Sequence, residues 1–375
     1  MTEGEAQVAV WGGRRAIGAA FLGLSLFAAS ACGSGAEAGE DGGPSPASLD
    51  KAGESASPST EPRKPITLAF AGDLSFQGTL RKRLDDPARA LGPAASALGR
   101  ANLSMVNLET AVTSVGIPAP KPTAFRAPKS AFTALREAGV DVTTMANDHG
   151  MDYGQTGLRD TLREIDRAGH PVVGVGQDAA DAFRPYIATA KDSRVAFIAA
   201  TQLFDENLAG AWTASAAQGG MASTRDLARL LAAVREARAK ADVVVVYLHW
   251  GRASSGCPSP EQRRLADELL AAGADVLVGA GSGVIQGGGY VPGGFVQYGL
   301  GTFQAEGAQG AAARSGVLTL TLTLTGRSVT SVKWEPVELK GGVPHLVKGA
   351  AATAAVRDWA ALRGCAGVEA SATPR

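Results

Sequence analysis

The sequence predicts an α/β protein made of two sheets packed face to face, with helices on the outside. Through the first two-thirds of the chain, continuous apolar stretches such as 241–248 alternate with stretches of helical spacing. That order is typical of parallel or mixed sheets covered by helices. In the last third, leucines alternate with threonines over 318–323, which indicates antiparallel strands with one buried face. A hydrophobic content of 45% is sufficient for a large core.

Each element has a local reason in the sequence. Apolar and β-branched stretches predict strands at 66–71, 103–106, 141–145, 172–174, 184–190, 194–200, 241–248, 275–278, 294–298, 316–323 and 328–337. Apolar residues at helical spacing predict helices at 129–138, 156–168, 224–239, 259–272 and 351–362. Gly139 and Gly169 are expected to end the first two helices, and Ser259 to cap the fourth.

Charge is balanced, with 36 Lys and Arg residues against 36 Asp and Glu residues. The chain therefore carries no excess of positive charge that would attract a phosphate backbone. We expect no nucleic-acid partner.

The N-terminus has the features of an export signal. Arg14 and Arg15 precede a short apolar stretch, 16–31, which ends in small residues before Cys32. This end resembles a bacterial lipobox, so residues 1–32 are predicted as a signal peptide and Cys32 as its lipidated residue. The alternative is cleavage after Ala31 and a freely secreted protein. The general and the twin-arginine export routes both remain open.

Residues 33–65 are rich in Gly, Ser, Pro, Ala and Glu and contain few large apolar residues. Such a composition is typical of a flexible spacer that cannot pack a core. With a lipid on Cys32, this linker would tether the domain through a membrane anchor. We therefore expect an exported lipoprotein on the extracytoplasmic face of the cell membrane.

Three cysteines are present, and lipidation of Cys32 would leave Cys257 and Cys365. An even pair in an exported protein predicts one disulfide. The alternative is two free buried thiols.

Short polar clusters follow several of the predicted strands. They contain Asp73, Glu109, Asp148 with His149, and His249. Functional groups in such sheets gather beyond the carboxyl ends of the strands. Carboxylates and imidazoles brought together there are typical ligands of a divalent metal. Asp152 lies in the turn before the predicted helix at 156–168 and is expected to cap that helix.

Several motifs recur in a fixed order: Ala71-Gly72-Asp73, Asn107-Leu108-Glu109, Phe125-Arg126-Ala127, Ala146-Asn147-Asp148-His149-Gly150, His249-Trp250-Gly251 and Gly299-Leu300-Gly301-Thr302-Phe303. In order and spacing they resemble the CapA family, which acts in capsule or poly-γ-glutamate synthesis and belongs to the calcineurin-like metallophosphatase superfamily. The resemblance implies a four-layer α/β/β/α sandwich, metallophosphatase-like, over 66–340, followed by a C-terminal extension at 341–375. It also implies an anionic surface polymer, or the machinery that makes it, as partner.

The chain departs from the family pattern at the site. Asp148 stands where the family has Asn, and Ala253 where it has Glu. Ala280 and Gly283 replace the histidines of a His-Pro-His element, and Thr302 replaces an Asn. The resemblance thus implies a metal site with part of its ligand set missing.

Three readings of this site follow. In the first, Asp73, Glu109, Asp148 and His249 hold one divalent metal, Mn²⁺ or Mg²⁺, and His149 is a general acid or phosphate contact. In the second, a complete two-metal site hydrolyses a phosphoester or the polymer. In the third, the polar residues cap the strand ends without metal, and the protein is a non-catalytic binding or accessory protein. Catalysis is therefore undecided from the sequence.

Overall fold

The structure, a computed structural model, describes residues 64–251, 255–324 and 327–372. The strands are β1 (Ile66–Leu74), β2 (Leu103–Leu108), β3 (Ala111–Val112), β4 (Arg126–Ala127), β5 (Val142–Thr144), β6 (Val172–Val173), β7 (Val175–Gly176), β8 (Tyr186–Ala190), β9 (Ser193–Thr201), β10 (Gly220–Met221), β11 (Val243–His249), β12 (Val276–Ala280), β13 (Gly288–Val291), β14 (Gly294–Gln297), β15 (Thr302–Gln304), β16 (Arg314–Thr323), β17 (Ser328–Lys340) and β18 (Val343–Leu346). The helices are α1 (Ser130–Glu137), α2 (Gly154–Ala168), α3 (Ala179–Ala182), α4 (Ala209–Trp212), α5 (Leu227–Lys240), α6 (Pro260–Ala272), α7 (Gly349–Ala361) and α8 (Arg363–Ala366). Short 3₁₀ helices occupy Gly78–Asp85, Pro87–Arg89, Pro93–Arg100 and Gly310–Ala313.

Two large sheets form the centre of the fold. The first has the strand order β18-β17-β16-β1-β2-β5-β6, with β15 also pairing with β1. The second has the order β13-β14-β12-β11-β9-β8. The middle strands are parallel in both sheets, namely β1, β2, β5 and β6 in the first and β9, β11, β12 and β14 in the second. The carboxyl ends of neighbouring strands therefore meet at one edge of each sheet.

Alternating side chains divide the core into layers. On β1, Leu68 and Phe70 belong to a buried cluster that also contains Phe197 and Tyr247 of the second sheet. Ala69 on the same strand faces the opposite way, into a cluster with residues of α1 and α2. A third cluster joins the outer face of the second sheet to α5 and α6. The two sheets thus pack face to face between helical layers, which confirms the predicted four-layer α/β/β/α fold.

Helix ends follow the local chemistry. The Ser259 side chain accepts a hydrogen bond from the backbone N–H of Gln262, and the Gln262 side chain accepts one from the Ser259 N–H. This reciprocal cap fixes the start of α6, as predicted. Gly169 ends α2 with a φ of +59°, a left-handed conformation that glycine adopts without the steric cost of a side chain.

The C-terminal residues pack onto the domain. β18 pairs with β17 in the first sheet, and Glu369 forms a bridge with Tyr290 of β13. Within the described residues, no helix is long and apolar enough to cross a membrane. Cys32, the predicted signal peptide, the linker up to residue 63 and Ala253 lie outside the described residues.

Candidate metal site

Neighbouring strand ends position the polar clusters. Asp73 lies near the end of β1 and pairs with Asn107 of the parallel strand β2. Glu109 follows β2 directly, and Asp148 lies in the turn after β5. His249 is the last residue of β11 in the second sheet and reaches across to the first. The structure therefore brings the four predicted metal ligands together.

His249 lies at the centre of this cluster and is fully buried. Its Nδ1 is 3.4 Å from Asp73 Oδ1, and its Nε2 is 3.0 Å from Asp148 Oδ1 and 3.8 Å from Glu109 Oε1. Burial acts to lower the pKa of His249, but the neighbouring Asp73 and Asp148 raise it well above its ordinary value. The cluster is therefore strongly acidic around a single imidazole.

The pKa values of two acidic side chains are shifted in opposite directions. Burial, reinforced by the Asp73 charge, raises the pKa of Glu109 well above its ordinary value. Burial also opposes ionisation of Asp148, yet the hydrogen bond and charge of His249 hold the pKa of Asp148 well below its usual range. Carboxylates this close cannot all ionise without a compensating cation. A bound divalent ion would supply that charge.

Two asparagines hold the acidic groups in place. Asn107 Nδ2 donates to Asp73 Oδ1 at 2.7 Å and lies 3.1 Å from His249 Nδ1. Asn147 Nδ2 donates to Asn107 Oδ1 at 2.8 Å and to the Leu108 carbonyl at 2.9 Å. Both ring nitrogens of His249 therefore face polar partners, Nδ1 the Asn107 amide and Asp73, and Nε2 the Asp148 carboxylate.

His149 is oriented by two neighbours. Its ring stacks on Phe125 with centroids 3.7 Å apart and an interplanar angle of 9°. Its Nδ1 lies 2.6 Å from Oδ2 of Asp152, which is fully buried. A carboxylate on one ring nitrogen fixes the tautomer and leaves the other nitrogen for a ligand or substrate. The expectation that Asp152 caps the helix is wrong, because Tyr153 occupies the N-cap of α2 and Asp152 holds His149 instead.

Lys121 is a site residue that the sequence analysis did not find. Its buried Nζ donates to the Asp148 carbonyl at 2.6 Å and lies 3.1 Å from Asp152 Oδ1 and 3.2 Å from Asp205 Oδ2. The Trp212 ring lies 5.1 Å away. Lys121 thus fixes both Asp148 and the partner of His149. It lies in an irregular loop, where no periodicity identifies it.

The loop after β12 approaches the cluster through its backbone. The Gly281 N–H donates to Asp73 Oδ2 at 2.9 Å. A Cβ on Gly281 would lie 3.1 Å from His249 Cδ2, and the Gly281 φ is +95°. Gly283 has a φ of +68°, and Ala280 is fully buried in the core between the sheets. The described part of this loop therefore gives the site a backbone N–H in place of imidazoles.

Two overlapping groups of side chains could hold a metal ion. In the first, Asp73, Glu109 and His249 each offer a ligand atom, all within 4.8 Å of one another. In the second, Glu109, Asp148 and His149 do the same. Glu109 belongs to both groups. Carboxylates with an imidazole fit a hard divalent ion such as Mg²⁺ or Mn²⁺.

The two remaining histidines and the cysteine pair lie elsewhere. His170 is buried beside Phe132, and its Nε2 is 2.7 Å from Thr143 Oγ1. His345 lies on β18 at the edge of the first sheet. Cys257 and Cys365 are joined in a disulfide that links the loop before α6 to α8.

Comparison with known proteins agrees with the motifs. Capsule biosynthesis protein CapA of Bacillus anthracis is 31% identical over 219 residues, which is 58% of this chain and 52% of that protein. PGA biosynthesis protein CapA of Bacillus subtilis (strain 168) is 32% identical over 151 residues, 40% of this chain and 39% of that protein. A probable polyglutamine synthesis accessory protein of Mycobacterium tuberculosis is 28% identical over 48% of this chain and 50% of its own length. The chain thus spans about half the length, or less, of the curated relatives it matches.

Solved structures show weaker similarity. A phosphatase from Mycoplasma pneumoniae is 13% identical with a TM-score of 0.47, covering 74% of this chain and 94% of that one. The 5'-nucleotidase of Candida albicans is 9% identical with a TM-score of 0.41, covering 82% and 55%. Scores this low support no statement about activity. The sequence model described as "Bacterial capsule synthesis protein PGA_cap", in contrast, matches residues 67–306, and the chain belongs to that family.

Proposed function

We propose that this protein is exported and anchored by a lipid on Cys32, and that it acts in the synthesis, export or attachment of an anionic surface polymer. The polymer would be a capsule or poly-γ-glutamate. Family membership and the relatives named for capsule and PGA biosynthesis support this role. A domain tethered outside the membrane would suit contact with such a polymer or with the proteins that make it.

We further propose that the domain binds one divalent ion, Mn²⁺ or Mg²⁺, at Asp73, Glu109 and His249. The observation that carries this proposal is the convergence of these three ligand atoms from separate strands within 4.8 Å. When bound, the ion would supply positive charge for an anionic substrate group. Asp148 would stay ionised and hold His249 Nε2, while Asn107 fixes the orientation of Asp73.

A two-metal hydrolase is the second candidate. The observation that favours it is the second ligand group, in which Glu109 is shared with Asp148 and His149. A bridging carboxylate is a usual feature of paired metal ions. In the one-ion site, His149 is instead free to act as a general acid, because Asp152 holds its Nδ1 and leaves Nε2 available.

Metal content and hydrolysis distinguish the candidates. The protein would be equilibrated with Mn²⁺, desalted and measured by elemental analysis, and its turnover of bis-p-nitrophenyl phosphate would be followed. We expect about one equivalent of metal, lost in Glu109→Gln, and weak or no turnover. Two tightly held equivalents with robust turnover would establish the hydrolase instead. Absence of metal would support the non-catalytic accessory protein.

Anchoring has its own test. Cells producing the wild-type chain or Cys32→Ala would be fractionated with and without detergent. We expect the wild type in the detergent-soluble membrane fraction and Cys32→Ala outside it. Unchanged partitioning would contradict lipidation at Cys32.

A further inference from the structure

The Lys121 ammonium lies in surroundings that are usual for a metal ion. Its Nζ is 2.6 Å from the Asp148 carbonyl oxygen, 3.1 Å from Asp152 Oδ1 and 3.2 Å from Asp205 Oδ2. Carboxylate and carbonyl oxygens are the ligands that hard cations take in proteins. The Lys121 side chain is 5% exposed, so solvent and salt screen its charge only weakly. Lys121 therefore places a fixed positive charge in a cage formed by these three oxygens.

The two carboxylates of this oxygen cage are held in place by other contacts. Asp152 Oδ2 accepts a hydrogen bond from the Phe125 N–H at 2.5 Å and lies 2.6 Å from His149 Nδ1. The backbone carbonyl of Asp205 accepts two hydrogen bonds at the start of α4. Asp152 Oδ1, in contrast, has no hydrogen-bond partner among the described residues and is matched there by the Lys121 charge alone. The cage thus requires a cation, and the chain supplies one.

The candidate metal site contains two overlapping sets of ligands, and Lys121 lies beside one of them. We call Asp73, Glu109 and His249 the first ligand group, and Glu109, Asp148 and His149 the second ligand group. Lys121 donates to the Asp148 backbone and pairs with Asp152, which orients His149. Its described contacts include no member of the first ligand group. Like charges repel strongly where little water separates them, so the ammonium opposes a metal ion in the second ligand group.

The charge balance of this region also depends on Lys121. The described ion pairs of the carboxylates involve two histidines and, among lysines and arginines, Lys121 alone. An ion in the first ligand group would compensate one part of the negative charge, and Lys121 compensates the other. The carboxylates concerned are those of Asp73, Glu109, Asp148, Asp152 and Asp205.

We propose that the Lys121 ammonium takes the place of a second metal ion, and that its charge limits the candidate site to one bound ion. This inference rests on the proposed metal binding of the site. Lys121 compensates Asp152 and Asp205 permanently, and it leaves His149 free of a metal. It is a positioning residue, because it acts on His149 through Asp152 and does not contact the ion itself.

Metal stoichiometry in charge-neutral variants tests this role. Lys121→Met keeps most of the side-chain length and removes the charge, whereas Lys129→Met removes an exposed charge from the same segment. The full chain and both variants would be equilibrated with Mn²⁺, desalted, and measured by elemental analysis and electron paramagnetic resonance. We expect about one additional equivalent in Lys121→Met, bound at least about 10-fold more tightly than any second ion in the wild type. Its signal should show spin coupling, because Glu109 would bridge the two ions. Lys129→Met should match the wild type.

A second variant keeps the test valid if Lys121→Met does not fold, since buried carboxylates that lose their partner are strongly destabilising. Lys121→Met with Asp205→Asn leaves one carboxylate fewer uncompensated and should take up the same additional ion. Adding His149→Ala to either variant should remove that ion. Two tightly held ions in the wild type, with Lys121 in place, would overturn the proposal. A second ion that survives His149→Ala would overturn it too.

The outcomes separate this role of Lys121 from the proposed metal binding. One ion in the wild type and one in Lys121→Met would leave the proposed binding intact and overturn the role of Lys121. A wild type without metal would contradict the proposed binding. In that case, uptake of an ion by Lys121→Met, and its loss on adding His149→Ala, would still support the role of Lys121, and absence of uptake would overturn it.

Discussion

The two sheets contribute to the candidate metal site in very different ways. The first sheet supplies a dense set of polar side chains: Asp73, Asn107, Glu109, Asn147, Asp148 and His149. The described part of the second sheet supplies His249 and, through Gly281, a backbone N–H. We call the groups from the first sheet the first half of the site and those from the second sheet the second half. In the first half, Asp152 and Phe125 contact His149, and Lys121 pairs with Asp152. On the side of the second sheet, Gly251, Gly281 and Gly283 have positive φ, and the disulfide links the loop before α6 to α8.

This difference indicates what the site can still do. The first half keeps enough carboxylates for an ion, each with a defined partner. The second half offers one imidazole, on which Asp73 and Asp148 both depend for charge compensation. Changes in the second half should therefore affect the site more than comparable changes in the first.

The largest effect is expected from the disulfide. Cys257→Ser with Cys365→Ser removes a link that spans a sequence separation of 108 residues. The chain-entropy model gives a loss of about 4–5 kcal/mol in the free energy of unfolding. Guanidinium unfolding of the double variant against the wild type measures it. Reactive thiols at Cys257 and Cys365 in the unfolded, unreduced wild type would show that the bond does not form.

Next comes a comparison of the two site histidines. His249→Ala should weaken Mn²⁺ binding by at least about 100-fold, since loss of groups that merely orient ligands already costs about 10- to 100-fold. His149→Ala should weaken it by less than about 10-fold if His149 is not a ligand of the proposed ion. Titration with Mn²⁺ followed by electron paramagnetic resonance gives both values, with His345→Ala as control. Equal losses at His149 and His249 would favour two ions bridged by Glu109.

His170 shows what burial does to a histidine without acidic partners. Burial, with the nearby Arg136 charge, lowers the pKa of His170 to about 4 from its ordinary 6.5. The unfolded chain thus binds a proton at His170 more readily than the folded chain does. The contribution of neutral His170 to the free energy of unfolding is therefore complete above pH 6.5 and is lost as the pH falls toward 4. Its full size is about 3 kcal/mol.

The free energy of unfolding of the wild type should fall between pH 7 and pH 4.5. In His170→Gln that fall should be smaller by roughly 2–3 kcal/mol. Urea unfolding at both pH values measures the difference, and His345→Gln serves as the matched variant. An identical loss in His170→Gln and the wild type would show that His170 does not titrate in this range.

The smallest effects are expected in the glycine loop. Gly283→Ala should cost about 1–2 kcal/mol, because its φ of +68° is left-handed but the space around a Cβ is open. Gly281→Ala should cost more, since a Cβ there would lie 3.0 Å from the Trp250 backbone N in addition to the backbone strain. Denaturant unfolding of the two variants gives the order. If Gly283→Ala costs more than Gly281→Ala, the loop conformation differs from the one described here.

Local patterns predicted most of the fold. The apolar strand at β11 and the capped helix α6 were identified from adjacent residues, because burial and capping depend on neighbours in the chain. The 3₁₀ helices between β1 and β2 were not predicted, since short turns of this kind carry no lasting periodicity. The strand β18 lies in the segment predicted as a C-terminal extension and was not predicted as a strand. It is a strand because it pairs with β17, which is a tertiary contact.

The sequence by itself determined the α/β class, the family motifs and the polar residues at the strand ends, because each depends on residue type and spacing. Tertiary structure alone decided which of those residues share the site and in what state. His249 meets Asp73 and Asp148 across two sheets, Asp152 turns from an expected cap to a partner of His149, and Lys121 joins them from an irregular loop. The pKa of His249 and that of His170 move in opposite directions although both rings are buried. The reason is that charges and hydrogen bonds depend on distance in space. His249 and Asp73, for example, are 176 residues apart in the sequence, so no local pattern reveals that they interact.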